Sequence, residues 1–533
     1  DSSFNTCLGN SGNIKAMAGG TMCATAFVGD GSGLTGIAAG FSPDADLNLV
    51  AGQCVGCNLD GSNGCCNILM GVCAGKDATS AHSNVALGRL TAKNLSTGDF
   101  NVFLGYSAGG YAGGGVTNNN NIAIGSEALK CLTSGASNVA IGQAAGGGGA
   151  TGSGSDNVMI GSYAGNAAAD SSFSVMIGHQ AGCNSGEVAG VFIGKYAGKS
   201  ASAHGASIMI GCKAGCLAYT SDSSIFIGKE AGMRACNSSH GNIFMGSAAG
   251  KGSSTESNNT GDNNIAIGDN TMCDYTSATC NVIIGYYAGN DISSGAANVA
   301  VGQCAGCTIT TGSDNIALGQ KAMGNGAVTG CENVAIGKNA GCCLTSGYKN
   351  IMIGSNAGCR SESAYRNILI GEDTGQRMCT SSSFFNVMIG YGAGSLNSGY
   401  GNVMIGRCAN LASSGSTYNF FGGYSAGQCS TGSNNVAIGY RAACAMSSGA
   451  YNVAIGCGAE LASVSGSCQL SIAFGTGSSY WLRGDSAKNI QPGSGILDKD
   501  GEVGTAGQIL SSTGSQLDWI DAGGGGGGDK FNT

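Results

Sequence analysis

Along most of this 533-residue chain a polar residue, three apolar residues and a glycine recur in that order, usually with Ala-Gly after two intervening positions. Asn138-Val139-Ala140-Ile141-Gly142 with Ala145-Gly146, Asn281-Val282-Ile283-Ile284-Gly285 with Ala288-Gly289, and Asn350-Ile351-Met352-Ile353-Gly354 with Ala357-Gly358 are three copies. The anchor glycines run from Gly52 to Gly475 at a mean spacing of about 17.6 residues. Three apolar residues bounded by Asn and Gly read as a short strand, and the variable Ser, Thr, Gly and Asn stretch behind them reads as a return loop. A phrase this short leaves no room for a crossover helix. The fold class is therefore all-β: a parallel β-solenoid or β-roll of about 25 short repeats, roughly 120 Å long at the usual strand spacing.

Successive strand side chains point to opposite faces, so three apolar residues in a row predict cover on both faces. From Leu69 to Ala473 the middle residue is Ala, Met, Phe, Ile or Leu in each copy. One face fills the coil's own interior. The other is expected to carry Phe103, Phe192, Phe226, Phe244 and Phe421 and to pack against copies of the chain, as a homo-oligomer and specifically a homotrimer wound about a common axis. The alternative is a monomer whose return segments cover both faces.

The repeat anchors, Asn138, Gly142, Asn281, Gly285, Asn350 and Gly354 among them, have structural roles to fill. The Asn suits a side-chain ladder from coil to coil, or a left-handed turn before the strand. The Gly suits a positive φ or close approach of neighbouring coils. Only Pro43 and Pro492 occur, both outside the array, as a continuous hydrogen-bonded stack requires. They divide the chain into an N-terminal module over 1–47 with the Gly29-Asp30-Gly31-Ser32-Gly33-Leu34 motif, the repeat array over 48–477, a C-terminal module over 478–522, and a Gly-rich linker over 523–533. The chain opens and closes mid-phrase, at Phe4-Asn5-Thr6 and Phe531-Asn532-Thr533, which reads as a segment of a longer modular protein.

Composition narrows function by exclusion. Charged residues make up 10% and glycine 99 positions, too little Lys, Glu and Leu for helices. The net charge of −8 carries no basic stripe, which argues against nucleic acid as a partner. No apolar run approaches the ~20 residues of a membrane helix. No nucleophile elbow, phosphate loop or calcium-binding repeat occurs, so the chain reads as no enzyme, with no catalytic residue, no cofactor and no metal. A carboxylate pair formed between chains, as in glycan cleavage, is the weaker alternative, and scattered threonines disfavour an ice-binding face.

Cysteine follows the repeat. Eight of the 26 lie five residues after an anchor glycine (Cys57, Cys183, Cys216, Cys273, Cys307, Cys342, Cys359 and Cys444), and Cys54, Cys73, Cys304 and Cys408 lie two after one. Equivalent positions on neighbouring coils are within disulfide reach, so Cys342 and Cys359 are expected to bridge or to stack. A metal site near Cys54, Cys57, Cys65, Cys66 and Cys73 lacks a histidine and ranks below structural cysteine. His82, His179, His204 and His240 share no offset and read as surface residues. Arg483-Gly484-Asp485 matches a short integrin-binding motif, and Asn94, Asn237 and Asn258 begin sequons.

The phrase Asn-Val-Ala-Ile-Gly-x-x-Ala-Gly resembles the head repeat of trimeric autotransporter adhesins, over nearly all of 48–477 but with longer repeats. The segments Phe27 to Gly36 and Gly504 to Trp519 look like modules of bacteriophage tail fibres and of fibre proteins of large viruses. This resemblance implies a trimeric fibre shaft at the virion surface, extracellular, joined to other virion fibre or base components and contacting a host-surface glycan or protein through its loops. A cellular surface adhesin or extracellular filament subunit is the alternative it leaves open.

Overall fold

The computed structural model describes the chain apart from residues 1–42, 61–63, 111–115, 149–151, 169–170, 186–188, 202–204, 220–221, 236–238, 254–258, 379, 412–414, 476–478, 498–499, 506–507, 513–516 and 522–533. The Phe27–Gly36 segment, the linker, His204, Asn237 and Asn258 thus lie outside the described residues. The described residues form a parallel β-solenoid with no helix. Strands β1 (Leu49–Ala51) to β25 (Leu470–Ala473) follow one another along the chain, and each of the first 24 is paired in parallel with the next. Register is strict: Val282↔Val299, Ile283↔Ala300 and Ile284↔Val301 form one step, and Val299↔Ile316, Ala300↔Ala317 and Val301↔Leu318 the next. A slip of one residue would turn each apolar side chain to the wrong face, so the repeat pattern itself holds the register.

From β2 (Ile68–Met70) to β24 (Val453–Ile455) each strand buries its middle residue in the coil, whereas Val50 of β1 is exposed. Phe103, Phe192, Phe226, Phe244 and Phe421 are wholly buried within the single chain. This corrects the expectation that these five rings pack between chains. The interior is shared between the strand's middle residue and the return segment, and the two trade volume. The coil of Phe226 has Ala231 and Ala235 buried in its return segment, whereas that of Ala300 has Ile309 and that of Ala335 has Leu344. Such compensation keeps a narrow core close to filled. The glycine after the recurrent small Ala gives the ring its space: a Cβ on Gly109 would meet the Phe103 ring at 2.5 Å, and one on Gly250 would meet the Phe244 ring at 2.3 Å.

The anchor glycines have φ near +135°, at Gly142 (+135°), Gly285 (+137°) and Gly354 (+135°). A Cβ on Gly285 would lie 2.4 Å from the carbonyl oxygen of Gly302 on the next coil, and one on Gly142 2.6 Å from that of Gly161. Both expected roles, unusual φ and close approach, therefore meet at one atom. The Asn positions form the ladder. Asn298 donates from its backbone N–H (2.8 Å) and its Nδ2 (3.1 Å) to Oδ1 of Asn281, and from Nδ2 to the Gly312 carbonyl (2.8 Å). Asn138 repeats the scheme on Asn121, Asn281 on Asn264 and Asn350 on Asn333. The left-handed turn belongs to the residue before the Asn, such as Ala297 (φ 55°) or Lys349 (φ 58°).

The last coil departs from the sequence reading. Ser471 pairs with Ala454 and faces inward, so Ala473 occupies the anchor position that the repeat phrase assigned to Gly475. The displacement accompanies a change of direction. Strand β26 (Tyr480–Gly484) runs antiparallel on β25, with a register shift between Ile472 and Ala473, and β27 (Ile490–Pro492) pairs antiparallel with β26. This hairpin closes the C-terminal edge of the stack against further parallel addition. Strands β28 (Gln508–Ser512) and β29 (Leu517–Asp521) form a separate two-stranded sheet.

Candidate functional site: the outward sheet face and its flanking ladders

With the middle residue inside, the first and third residues of each strand point outward. These are Val and Ile with few exceptions, and they line up in register along the sheet. Ile141 is 37% exposed, Ile284 36%, Val301 38% and Ile438 41%. Two largely aliphatic rows therefore run along the solenoid, interrupted at β22 (Phe420–Gly422) by Phe420 and Gly422. The largest apolar patch on a typical soluble monomer covers ~300–600 Å², and two half-exposed side chains on each of 25 strands exceed it severalfold. The outward apolar positions are thus held by Val and Ile, and the five phenylalanines named from the sequence take no part in them.

Two ladders flank this face, and sequence reading missed both. Tyr348, Tyr365, Phe384 and Tyr400 each lie two residues before a ladder Asn and stack ring on ring, with centroids 5.0, 5.0 and 4.7 Å apart. Arg366 lies over the Tyr348 and Phe385 rings. The signal was available as a fixed offset from the Asn. Elsewhere on the stack, Lys213, Glu230 and Lys251 meet across three successive coils, and Lys195 and Lys199 both lie over the Tyr196 ring. Glu230 accepts an ion pair from Lys251 at 3.0 Å and sits 3.7 Å from Lys213. The hydrogen bond from Lys251 holds its carboxyl below the usual range, against a partial opposing effect of burial.

The isolated candidates fall into structural roles. His82 Nε2 meets Asp99 Oδ2 at 3.1 Å and His240 Nδ1 lies 3.9 Å from Asp222 Oδ2, each across one coil, a spacing that masks itself in the linear sequence. His179 packs edge-on to Tyr196. In Arg483-Gly484-Asp485 the arginine lies 4.3 Å from the Tyr480 ring centroid, and the aspartate accepts from Ala487 N–H (3.0 Å), Asn489 N–H (2.9 Å) and Asn489 Nδ2 (2.9 Å). Those bonds from Asn489 lower the Asp485 pKa, and both charged ends of the motif serve the hairpin turn. Among the described residues, no group of three or more His, Cys, Asp or Glu side chains is placed to hold a metal ion, and no helix is long and apolar enough to cross a membrane.

The cysteine offsets behave as a row. Cys342 is buried and Cys359 half-buried, both thiols are free, and their Sγ atoms are 3.0 Å apart. Burial raises the thiols of Cys183, Cys216 and Cys273, and pushes that of Cys307 up to about 11. These are inert positions for nucleophilic chemistry.

Comparison with family models, curated proteins and solved structures finds no match. The parallel solenoid stands on the structure itself, and the likeness to adhesin heads and viral fibres rests on the residues alone.

Proposed function

We propose that the chain is a structural fibre or shaft protein of a virion, a tail or surface fibre, that assembles as a homo-oligomer and presents host-attachment contacts through its loops. The observation that carries this reading is the pair of outward Val/Ile rows, which gives a long rod a reason to associate along its length. Three copies wound about one axis would cover the rows of all three with one closed interface. The work of such a protein is mechanical reach and multivalency, in which many weak loop contacts on identical chains add to a firm hold. No step of catalysis is part of the reading. The Tyr348–Tyr400 ladder supports a contact role, because aromatic edges offer apolar area and phenolic hydroxyls on a rigid support.

The second reading, a cellular adhesin or extracellular filament subunit, shares the fold and the oligomer and differs in what the rod is mounted on. Imaging of the purified protein together with antibody labelling of its source tests both. Rods of roughly 120 Å and label on virus particles are expected. Label on a cell envelope instead would favour the adhesin, and compact single-chain particles would remove both.

A further inference from the structure

Cys342 and Cys359 lie five residues beyond Gly337 and Gly354, on consecutive coils whose strands β17 (Val334–Ile336) and β18 (Ile351–Ile353) pair in register. Of the eight cysteines at this offset, these alone occupy neighbouring coils. Their Sγ atoms are 3.0 Å apart, and Cys343 Sγ lies 3.6 Å from Cys342 Sγ. The backbone on both sides is fixed: Cys343 N–H donates to the Cys359 carbonyl at 3.0 Å, and the N–H groups of Cys342 and Cys359 donate within their own turns to Asn339 and Asn356. The two thiols are therefore held in contact by the stack and are not brought there by a mobile loop. We propose that Cys342 and Cys359 form a redox-sensitive staple, a reversible disulfide that locks one coil of the solenoid to the next.

Geometry selects this pair over the vicinal one. Coils separated by the ~4.8 Å strand spacing place Cα atoms inside the 4.4–6.8 Å span that disulfides accept. Consecutive residues such as Cys342 and Cys343 are held at ~3.8 Å by the peptide bond, below that span. The exchange also has a direction. The two sulfurs share a hydrogen bond in which either thiol can donate, and that bond, with help from the Arg360 charge, brings the Cys359 thiol down to about 7. The same bond, together with burial, keeps Cys342 protonated. Cys359, the more exposed of the two thiols and the one next to Arg360, is the attacking thiolate.

With a small-molecule disulfide RSSR as oxidant, Cys359 Sγ attacks one sulfur, a Cys359–SR bond forms, and RS⁻ departs and takes up a proton. Cys342 then gives its proton to solvent and attacks Cys359 Sγ, forming the Cys342–Cys359 bond and expelling the second RS⁻, which is protonated in turn. Two protein thiols are oxidised and RSSR is reduced to two RSH. The site would leave the rod unstapled in a reducing compartment and link two coils at mid-shaft in an oxidising one.

The test uses the full wild-type chain under native conditions, equilibrated in graded mixtures of oxidised and reduced glutathione, trapped by alkylation and mapped by mass spectrometry. The expected result is a peptide pair joined through Cys342 and Cys359, formed at a ratio about tenfold more reducing than any other cysteine pair requires and reversed by reduced glutathione. Cys343→Ser should retain the link and Cys359→Ser should abolish it. In the reduced protein, alkylation of Cys359 should accelerate as pH rises through about 7 while Cys342 stays slow. Separate glutathione adducts on Cys342 and Cys359 without a link, or a link between Cys342 and Cys343, would overturn the proposal.

Discussion

Two stretches of the solenoid have the same backbone and different side-chain wiring. In the coils of Ile283, Ala300, Ala317 and Ala335 the ladder is continuous Asn, with amide bonds of 2.8–3.1 Å; the three alanine coils draw their apolar volume from return-segment residues Ile309, Val328 and Leu344, and that of Ile283 from Ile283 and Ile292 together. In the coils of Met176, Phe192, Met209 and Phe226 the ladder positions are Ser174, Gly190, Ser207 and Ser224, and the backbone N–H groups of Gly190, Ser224 and Asn242 reach a serine hydroxyl at 3.3–3.4 Å. Here the strand fills its own interior. At Gly190 the space is used up, since a Cβ there would lie 2.8 Å from the tip of the Phe192 ring. Phe103, Phe244 and Phe421 nonetheless sit beside Asn101, Asn242 and Asn419, so a large middle residue does not by itself exclude the amide. The comparison separates what both stretches share, the strand pairing and the glycine spine, from a lateral amide ladder that can be swapped for hydroxyls.

If the spine is common, breaking it should be equally severe in both stretches. Gly285→Ala and Gly211→Ala each put a methyl 2.4 Å from a neighbouring carbonyl oxygen at φ near +136°. Each should cost about 4 kcal/mol or more, read as loss of hydrogen-exchange protection in the adjoining strands. The ladder should distinguish the stretches. Asn298→Ala removes bonds in both directions, leaving the buried Asn315 backbone N–H without its acceptor and its Nδ2 with the Gly330 carbonyl alone, for an expected loss of about 3 kcal/mol, whereas Ser207→Ala should lose about 1 kcal/mol or less by denaturant titration. A single reversal narrows the gap: Ser224→Asn offers an amide to Asn242 on the next coil and should gain about 1 kcal/mol, with an unchanged or lower midpoint showing that the hydroxyl coils are built too tightly to accept it.

Much of this was legible because local chemistry repeats. Asn281 and Gly285 announce strand, turn and stack through residue type alone, and the solenoid follows from their period. The direction of the middle residue was not legible from Val-Ala-Ile or Val-Phe-Ile, because period-two alternation names two faces without saying which is inside. Gly109 and Gly250 held the clue, since a glycine four residues beyond each anchor is what clears space for an inward ring. Ser471 and Ala473 were misread for a different reason: the antiparallel β26 ends the repeat, and a terminal coil answers to its cap more than to the repeat phrase. Contacts one coil apart, His82 with Asp99 or Tyr348 with Tyr365, become visible only when the chain is wrapped at its own period.

The claim that the outward Val/Ile rows are covered by further copies is tested most directly by sedimentation velocity with light scattering on the full-length chain. An elongated particle whose mass is a multiple of one chain, three for the proposed fibre, is the expected result, and paired outward changes Ile284→Asp and Val301→Asp should disperse it while Ile283→Val does not. A monomer that stays dispersed at micromolar concentration with both rows in water would contradict the claim.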